Sequence, residues 1–344
     1  MLSALIDDLT SGERRTIPSA ERLTNAFEAL LAPDVDPALV GGLLVALRTQ
    51  EPSGETLALL AEVIRSRAVT VPCTASARID TCGTGGDRSS SFNVSTAAAF
   101  VVAAAGGIVA KHGNRSVSSA CGSADLIEAL GLPLDLEPAT IARQIDVTGF
   151  GFLYAPRFHP VLARVQSARR ALGVPTLFNL VGPLVNPARP RFQVVGVARA
   201  DLARTMGEAL ARQGTERSLV VHCDGLDELG LHAPSRGHLV RDGRLEDFVC
   251  DPRDFGLERR SLESVRGGGA SENAARFRAP LQGEPGALAD VVALNAAAAC
   301  FVGGLVPSLD AGFEHSRDLL AGGAAQRVFE RVSEAATTAC EVAP

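Results

Sequence analysis

The sequence predicts an α/β protein in which a small helical N-terminal domain precedes a larger α/β domain with a mainly parallel sheet. Three observations support this fold class. The first 70 residues contain three helix patterns and no strand pattern. Short apolar strand patterns then alternate with helix patterns, which is typical of parallel β-α-β units. At 344 residues, the chain is long enough for roughly two domains. We therefore expect a helical domain over residues 1–70 and an α/β domain over residues 71–344.

The helical domain is predicted from three segments that each begin with a helix-start signal. Ser19 can cap a helix with an apolar stripe, Asp36-Pro37 starts a second helix that ends near Arg48, and Pro52-Ser53 starts a third. Another helical stretch lies between residues 160 and 186. We expect it to pack back onto the first three helices, which would make the small domain discontinuous.

The α/β domain is predicted from a strand, loop, helix, strand succession that begins after residue 76. A strand over residues 77–80 leads into a Gly-rich turn, and a helix begins near Ser95. The elements expected after it are a strand over 108–110, a helix over 124–130, strands over 192–197 and 218–222, a hairpin turn at Asp242-Gly243, and Ala-rich helices from about Gly286.

The composition argues against several classes of protein. The net charge of −6, the pI of about 5.6 and the aromatic content of 4% disfavour a nucleic-acid-binding surface. The charge still permits a small phosphate site, because backbone N–H groups can bind phosphate without a basic patch. Seven scattered Cys without a C-x-x-C pair predict neither a disulfide framework nor a zinc site. The N-terminus lacks the pattern of a signal peptide, and the apolar stretches are shorter than the ~18–20 residues of a membrane span. We expect a cytoplasmic protein without a membrane partner.

The first segment with chemical potential is DTCGTGGD at residues 80–87, followed by NVST at 93–96. Three glycines in four residues let the backbone approach a ligand closely, and the helix that opens at Ser95 favours an anion at its N-terminus. Taken alone, the pattern fits an ordinary strand-to-helix turn equally well. It matches neither the dinucleotide nor the Walker A glycine pattern.

The second segment is KHGNRSVSS at residues 111–119, at the end of the next predicted strand. It combines cations, an amide and hydroxyls, all of which can bind phosphate, although a solvated loop would also look like this. Because the carboxyl ends of parallel strands line one crevice, we expect this loop to meet the first one. The third segment, DGLDE at residues 224–228, follows a strand and offers adjacent carboxylates for Mg²⁺, but such acidic loops are usually solvated turns.

Six motifs in this order resemble the anthranilate phosphoribosyltransferase family: GTGGD, NVST, KHGNRSVSS, GSADLIEALG, FNLVGPLVNPA and DGLDE. The resemblance extends over nearly the whole chain to the GGGASENA and LNAAAA segments. It implies the fold shared by nucleoside phosphorylases and this family, usually homodimeric through the small domain. It also implies transfer of the phosphoribosyl group from phosphoribosyl pyrophosphate to anthranilate in tryptophan biosynthesis, without a protein nucleophile.

The resemblance assigns roles to particular residues. Two Mg²⁺ ions would be bound by Ser95, Asp227 and Glu228. Anthranilate would contact Gly83, Asn114 and Arg169, with His112, His159 and Pro183 along its approach path. The residues that would bind phosphoribosyl pyrophosphate are Gly83, Gly86, Asp87, Ser91, Asn93, Val94, Ser95, Thr96, Lys111, His112, Gly113, Asn114, Arg115, Ser116, Val117, Ser118, Ser119 and Ser123.

A few positions depart from the commonest family pattern, and three other functions remain open. Arg88 stands where Gly is frequent, Ala120-Cys121 where Lys-Ser is frequent, and Pro175 where Arg is frequent. These residues bear on substrate affinity. The alternative functions are a pyrimidine nucleoside phosphorylase, the same transfer to another aminobenzoate, and a non-catalytic relative that binds nucleic acid. The carboxylate pair and the intact KHGN segment disfavour the phosphorylase, and the negative charge disfavours the nucleic-acid binder.

Overall fold

The N-terminal part of the protein is helical, as predicted. The structure is a computed structural model, and it describes residues 1–11, 18–116 and 120–342. Within residues 1–11 and 18–77, four helices precede the first strand: α1 (Leu2–Thr10), α2 (Ala20–Leu30), α3 (Pro37–Arg48) and α4 (Gly54–Arg65). The three expected helix starts are confirmed, because Ser19, Asp36 and Ser53 each accept a hydrogen bond from a backbone N–H of the first turn. Helix α1 was not predicted from the sequence.

The α/β part follows from residue 78. Its first half contains β1 (Arg78–Gly83), α5 (Val94–Ala104), β2 (Ile108–Gly113), α6 (Ser123–Ala129), α7 (Pro138–Thr148), β3 (Phe150–Tyr154), α8 (Ala155–Phe158) and α9 (Ala163–Leu172). Its second half contains β4 (Phe192–Gly196), α10 (Leu202–Arg212), β5 (Arg217–His222), β6 (Ser235–Arg241), β7 (Arg244–Cys250), α11 (Ala270–Leu281), α12 (Ala287–Val302), α13 (Leu309–Ala321) and α14 (Ala324–Val342).

Seven strands form one sheet in the order β3-β2-β1-β4-β5-β6-β7. The strands β1 to β5 pair in parallel, whereas β6 and β7 are antiparallel, so the predicted mainly parallel sheet is confirmed. The predicted hairpin is also present, with Asp242 (φ 51°) and Gly243 (φ 71°) between β6 and β7. Strand order reverses beside β1, whose neighbours are β2 and β4. In open α/β sheets, ligands bind outside the carboxyl ends of the strands at such a point.

The two faces of the sheet belong to two cores, because side chains alternate along each strand. On β4, Val194 joins a core that contains α5 and the helices α11 to α14, whereas Val195 joins a core formed by the N-terminal helices and α10. The segment over 160–186 contributes Val165 and Phe178 to the second core, and α9 contacts α3. This arrangement is compatible with the expected return onto the small domain. The domain division near residue 70 remains a proposal.

The described helices also address the membrane question. Within residues 1–11, 18–116 and 120–342, no helix combines the length and apolar character that crossing a bilayer requires.

Candidate active site

Two glycines at the carboxyl ends of β1 and β4 bring the DGLDE loop into the sheet. Gly83 and Gly196 are paired in register, and both lie against Asp227. A Cβ atom on Gly196 would lie 1.5 Å from the Asp227 carbonyl oxygen, and one on Gly83 would lie 2.5 Å from Asp227 Oδ2. Both distances are far below van der Waals contact. At Gly196 the obstructing atom is backbone, so the approach of the acidic loop requires the absence of a side chain there, whereas at Gly83 the Asp227 carboxylate would have to rotate away.

The Gly-rich loop after β1 is hydrogen-bonded to the acidic loop. The Gly85 N–H donates to Asp227 Oδ2 at 3.0 Å, and the Asp227 N–H lies 3.3 Å from Asp87 Oδ2. Asp87 also accepts from the Ser89 hydroxyl at 2.7 Å. The first and third sequence segments therefore form one connected structure, as expected of a shared ligand site.

The Glu228 carboxylate of the protein itself binds at the N-terminus of α5. The Ser95 N–H donates to Glu228 Oε1 at 3.1 Å, so the carboxylate occupies the position at which a helix N-terminus favours negative charge. The anion predicted at this helix N-terminus is therefore supplied by Glu228 of the same chain. This contact places the Ser95 hydroxyl beside the Glu228 carboxylate, which brings two of the three predicted metal ligands together.

The carboxylates near this point are electrostatically unfavourable by themselves. Burial, followed by the charges of Asp87 and Glu228, raises the pKa of Asp227 well above its usual range. Burial also raises the pKa of Glu228, although Lys111 opposes this shift. Like charges that are held close together favour a bound cation.

The side chains fit magnesium better than a metal enclosed by protein ligands. Among residues 1–11, 18–116 and 120–342, no group of three or more His, Cys, Asp or Glu side chains is arranged to hold a metal. Mg²⁺ does not require such a group, because it binds one or two carboxylates and completes its shell with water and substrate phosphates. Asp227, Glu228 and the Ser95 hydroxyl supply oxygen ligands of this kind.

Lys111 lies beneath the site. Its side chain is only 1% exposed, and its ammonium donates to the Thr81 carbonyl and lies 3.3 Å from Ser95 Oγ. Burial lowers the pKa of Lys111, while Asp80 and Glu228 favour its charged form. In this conformation Lys111 supports Ser95 and offsets the charge of Glu228, and only a small part of its surface faces outward.

In the KHGN loop, Asn114 is exposed, whereas Arg115 pairs with carboxylates of α6. Asn114 is exposed, and its Oδ1 accepts from the Arg115 N–H at 2.7 Å. Arg115 forms ion pairs with Asp125 at 3.0 Å and Glu128 at 2.8 Å, which neutralise much of its charge. The Ser123 hydroxyl lies 3.4 Å from the Asn114 carbonyl, at the start of α6. Ser116 donates its N–H to Asp125, whereas Val117, Ser118 and Ser119 lie outside the described residues.

Other predicted phosphoribosyl pyrophosphate contacts differ in what they can offer. Val94 and Thr96 are fully buried, and their backbone N–H groups donate to the Phe92 and Asn93 carbonyls, so neither residue faces a ligand in this conformation. Gly86 has a left-handed backbone (φ 84°), which suits a loop that turns its N–H groups toward an anion. Ser91 donates its N–H to Ser89 Oγ at 3.1 Å and forms a β-bridge with Arg266. Gly113 ends β2 beside Ser123.

The residues assigned to anthranilate lie on several elements. Arg169 is half-buried on α9, with its guanidinium 5.5 Å from the centre of the Phe178 ring, and burial lowers its pKa. His112 and His159 are buried and meet edge to face at 5.2 Å. Burial lowers the pKa of His112 to about 3 and that of His159 to about 4, so both rings are neutral at pH 7. The contact of Arg169 with Asn114 across a bound ligand remains a prediction.

Two buried asparagines hold the site in position and were not identified from the sequence. Asn295 on α12 accepts from the Leu229 N–H at 3.0 Å and donates to the Leu229 carbonyl at 2.9 Å, directly after Glu228. Asn273 on α11 donates to Asn93 Oδ1 at 2.8 Å. Each is an isolated amide in an Ala-rich helix, within the LNAAAA and GGGASENA segments. For Asn295 the available signal was a lone polar residue in the apolar run over 291–302, whereas Asn273 lies among other polar residues of α11 and gave no such signal.

Comparison with known proteins adds to this geometry. The sequence profile of the glycosyl transferase family, a/b domain, matches residues 75–326. The chain therefore belongs to this class of glycosyl transferases. An anthranilate phosphoribosyltransferase from Symbiobacterium thermophilum is 43% identical over 97% of both chains. The crystal structure of anthranilate phosphoribosyltransferase from Thermus thermophilus has a TM-score of 0.90 and 41% identity, covering 96% of this chain and 99% of that one.

A more distant structure has the same architecture. Anthranilate phosphoribosyltransferase from Saccharomyces cerevisiae, in complex with phosphoribosyl pyrophosphate and Mg, is 26% identical with a TM-score of 0.89 and 98% coverage of both chains. At the identity and coverage found with the bacterial relatives, the chain belongs to the anthranilate phosphoribosyltransferase family.

Proposed function

We propose that this protein transfers the 5-phosphoribosyl group from phosphoribosyl pyrophosphate to the amine of anthranilate, which yields N-(5-phosphoribosyl)anthranilate and pyrophosphate. The reaction is that of its family and belongs to tryptophan biosynthesis. The observation that carries the proposal is the meeting of the loops at the carboxyl ends of β1 and β5. There Asp227 accepts from the Gly85 N–H and donates its own N–H to Asp87, and the adjacent Glu228 accepts from the Ser95 N–H.

Magnesium is part of this proposal. Ser95, Asp227 and Glu228 are the residues that would hold two ions. A magnesium ion held by these residues would supply positive charge that stabilises the pyrophosphate leaving group. The raised pKa values of Asp227 and Glu228 support this role, because a nearby cation would remove the repulsion between the carboxylates.

The protein residues bind and orient the substrates. The Gly-rich loop and the KHGN loop would hold the pyrophosphate and ribose, with Asn93 fixed by Asn273 and the DGLDE loop fixed by Asn295. During transfer, the bond between ribose C1 and the pyrophosphate oxygen breaks, and a bond to the amine nitrogen forms on the opposite face. The amine nitrogen, which is positively charged once this bond has formed, then gives its proton to solvent water. An aniline-type nitrogen is neutral at pH 7, so orientation and electrostatic stabilisation account for catalysis without a protein nucleophile.

Anthranilate is expected between Asn114 and Arg169. A guanidinium fork matches the geometry of its carboxylate, and the half-buried position of Arg169 would strengthen that ion pair. The neutral His112 and His159 rings would provide an uncharged wall on the approach path. The proposal also includes a cytoplasmic homodimer that associates through the helical domain over residues 1–70. Analytical ultracentrifugation would test the dimer.

The fluorescence of anthranilate tests the function directly. Purified protein should consume anthranilate only when both phosphoribosyl pyrophosphate and Mg²⁺ are present, and excess chelator should stop the decay. Decay that continues in chelator would contradict the metal role. Absence of decay with folded protein would contradict the choice of acceptor and lead to 3- and 4-aminobenzoate. Phosphorolysis of thymidine or uridine would instead support the nucleoside phosphorylase.

A further inference from the structure

A second pocket lies at the opposite end of the sheet from Asp227 and Glu228. It encloses about 200 Å³. We call this cavity the arginine pocket. Its polar wall consists of Arg65 at the end of α4, Arg189 and Arg191 before β4, Gln193 on β4, and Gln213 after α10. Because Arg191 precedes β4 whereas Gly196 ends it, the pocket and the carboxylate site lie at opposite ends of the same strand.

Three arginines line this pocket against two paired glutamates, which leaves an excess of one positive charge. Two carboxylates pair with its arginines, Glu62 with Arg189 at 3.5 Å and Glu216 with Arg191, and both lie in exposed ion pairs. The Nε atom of Arg65 is buried and has no hydrogen-bond partner within the described chain. Burial and the charge of Arg189 lower the pKa of Arg65, and Glu62 opposes them. A half-buried cation with an unsatisfied donor would gain from an anion.

We propose that the arginine pocket binds a small oxyanion ligand, through a carboxylate or phosphate group held by the guanidinium of Arg65 and its neighbours. Planar guanidinium groups match the two oxygen atoms of such ligands. The side-chain amides of Gln193 and Gln213 border the same space, and each carries a second N–H beyond the one that binds the Pro183 or Leu184 carbonyl. Apart from Pro183, which the family resemblance places on the anthranilate approach path, the lining residues have no role in the proposed reaction.

The pocket shares a wall with the segment that leads to the active site. Pro183 lines it, whereas the adjacent Gly182 carbonyl lies 3.2 Å from His112 Nδ1. Asn186 also lines it and donates to Asp80 Oδ2 at 2.8 Å, and Asp80 in turn accepts from the His112 N–H. A ligand that shifts residues 183–186 therefore acts on the end of β2, which carries the KHGN loop. We expect occupancy to change the KM for anthranilate.

Thermal unfolding with two anions tests the site. The effect of inorganic phosphate is compared with that of malonate. The anion that raises the unfolding midpoint at the lower concentration identifies the ligand class. Arg65→Gln should weaken the binding of that anion at least tenfold. The matched control is Arg67→Gln, which removes the same charge from an exposed side chain two residues away. Because the active site is intact in both variants, binding of anions to it affects them equally.

The outcomes are distinct from those of the proposed function. Midpoints that do not respond to either anion, or that respond equally in Arg65→Gln and Arg67→Gln, overturn the site. If Arg65→Gln is too unstable to compare, Arg189→Gln replaces it with the same expectation. At saturating phosphoribosyl pyrophosphate, the effective anion should change the KM for anthranilate in the wild type and not in the pocket variant. An unchanged KM in the wild type, at anion concentrations that shift the midpoint, overturns the coupling.

Discussion

Replacement of Gly196 by Ala should distort the acidic loop and so reduce catalysis. The new Cβ atom would lie 1.5 Å from the Asp227 carbonyl oxygen and 2.4 Å from its carbon. Since carbon and oxygen need roughly 3.5 Å, one strand end and the Asp227-Glu228 backbone must separate by about 2 Å. Displacement of a catalytic group by ~1 Å can cost about 100-fold, so kcat should fall at least that much. Overpacking of this kind costs on the order of 3 kcal/mol, which predicts a decrease in Tm of several degrees.

The comparison with Gly83→Ala separates the effect on the fold from the effect on the site. At Gly83 the atom in the way is Asp227 Oδ2 at 2.5 Å, the far end of a side chain that can rotate. This variant should retain its Tm more fully and still lose most of its activity. Gly41→Ala is a control, because nothing lies within 4 Å of the added methyl group and Ala favours helix α3. Tm from calorimetry and kcat from anthranilate fluorescence are the measurements. Wild-type values of both for Gly196→Ala would refute the reasoning.

Three further predictions concern the charged groups. Glu228→Gln should lower kcat by at least ~100-fold while the Tm without Mg²⁺ is retained or increased, because burial disfavours the Glu228 charge; parallel losses in both would contradict the metal role. Arg169→Ala should raise the KM for anthranilate by roughly 10- to 100-fold with a smaller change in kcat, whereas Arg170→Ala, its exposed neighbour, should not; an unchanged KM would exclude Arg169 from the acceptor site. His112 and His159 have folded-state pKa values of about 3 and about 4, below the unfolded value of ~6.5, so their contribution to stability is complete above pH 6.5 and is lost as the pH falls toward 3. Urea unfolding between pH 7 and pH 4.5 should therefore show a shallower loss in His159→Phe than in the wild type or in the exposed control His315→Gln, and equal slopes would contradict the assignment.

Features with strong local signals were predictable from the sequence. The caps at Ser19, Asp36 and Ser53 and the Asp242-Gly243 turn predicted their elements because a single residue or pair determines the local backbone. The strand β3 and the helices α7 and α10 were missed. The order of strands in the sheet depends on contacts between segments distant in the chain, which local patterns do not contain.

The site was predictable in composition but less so in arrangement. The family resemblance named Asp227, Glu228 and Ser95 as metal ligands, and in the structure the Ser95 N–H donates to Glu228, the residue after Asp227. The sequence did not reveal that Glu228 would occupy the helix N-terminus expected to hold phosphate. Nor did it reveal that Arg115 would pair with Asp125 and Glu128. Both outcomes depend on which charged partner lies nearest after folding.

The departures from the family pattern can now be interpreted in part. Arg88 adopts a left-handed backbone (φ 60°), a conformation that Gly reaches without strain, which explains why Gly is frequent there. Cys121 is buried, and burial raises its pKa to about 11, so it remains a thiol at pH 7. The structure offers no explanation for Pro175.

In the proposed function, Ser95, Asp227 and Glu228 form the magnesium-dependent part of a phosphoribosyl pyrophosphate site. Isothermal titration of the wild type and of Asp227→Asn with phosphoribosyl pyrophosphate, with and without Mg²⁺ and in the absence of anthranilate, tests it most directly. Saturable binding by the wild type that requires Mg²⁺, together with at least tenfold weaker binding by Asp227→Asn, is the predicted result. Equal affinity of the two proteins, or binding by the wild type that is indifferent to Mg²⁺, would contradict it.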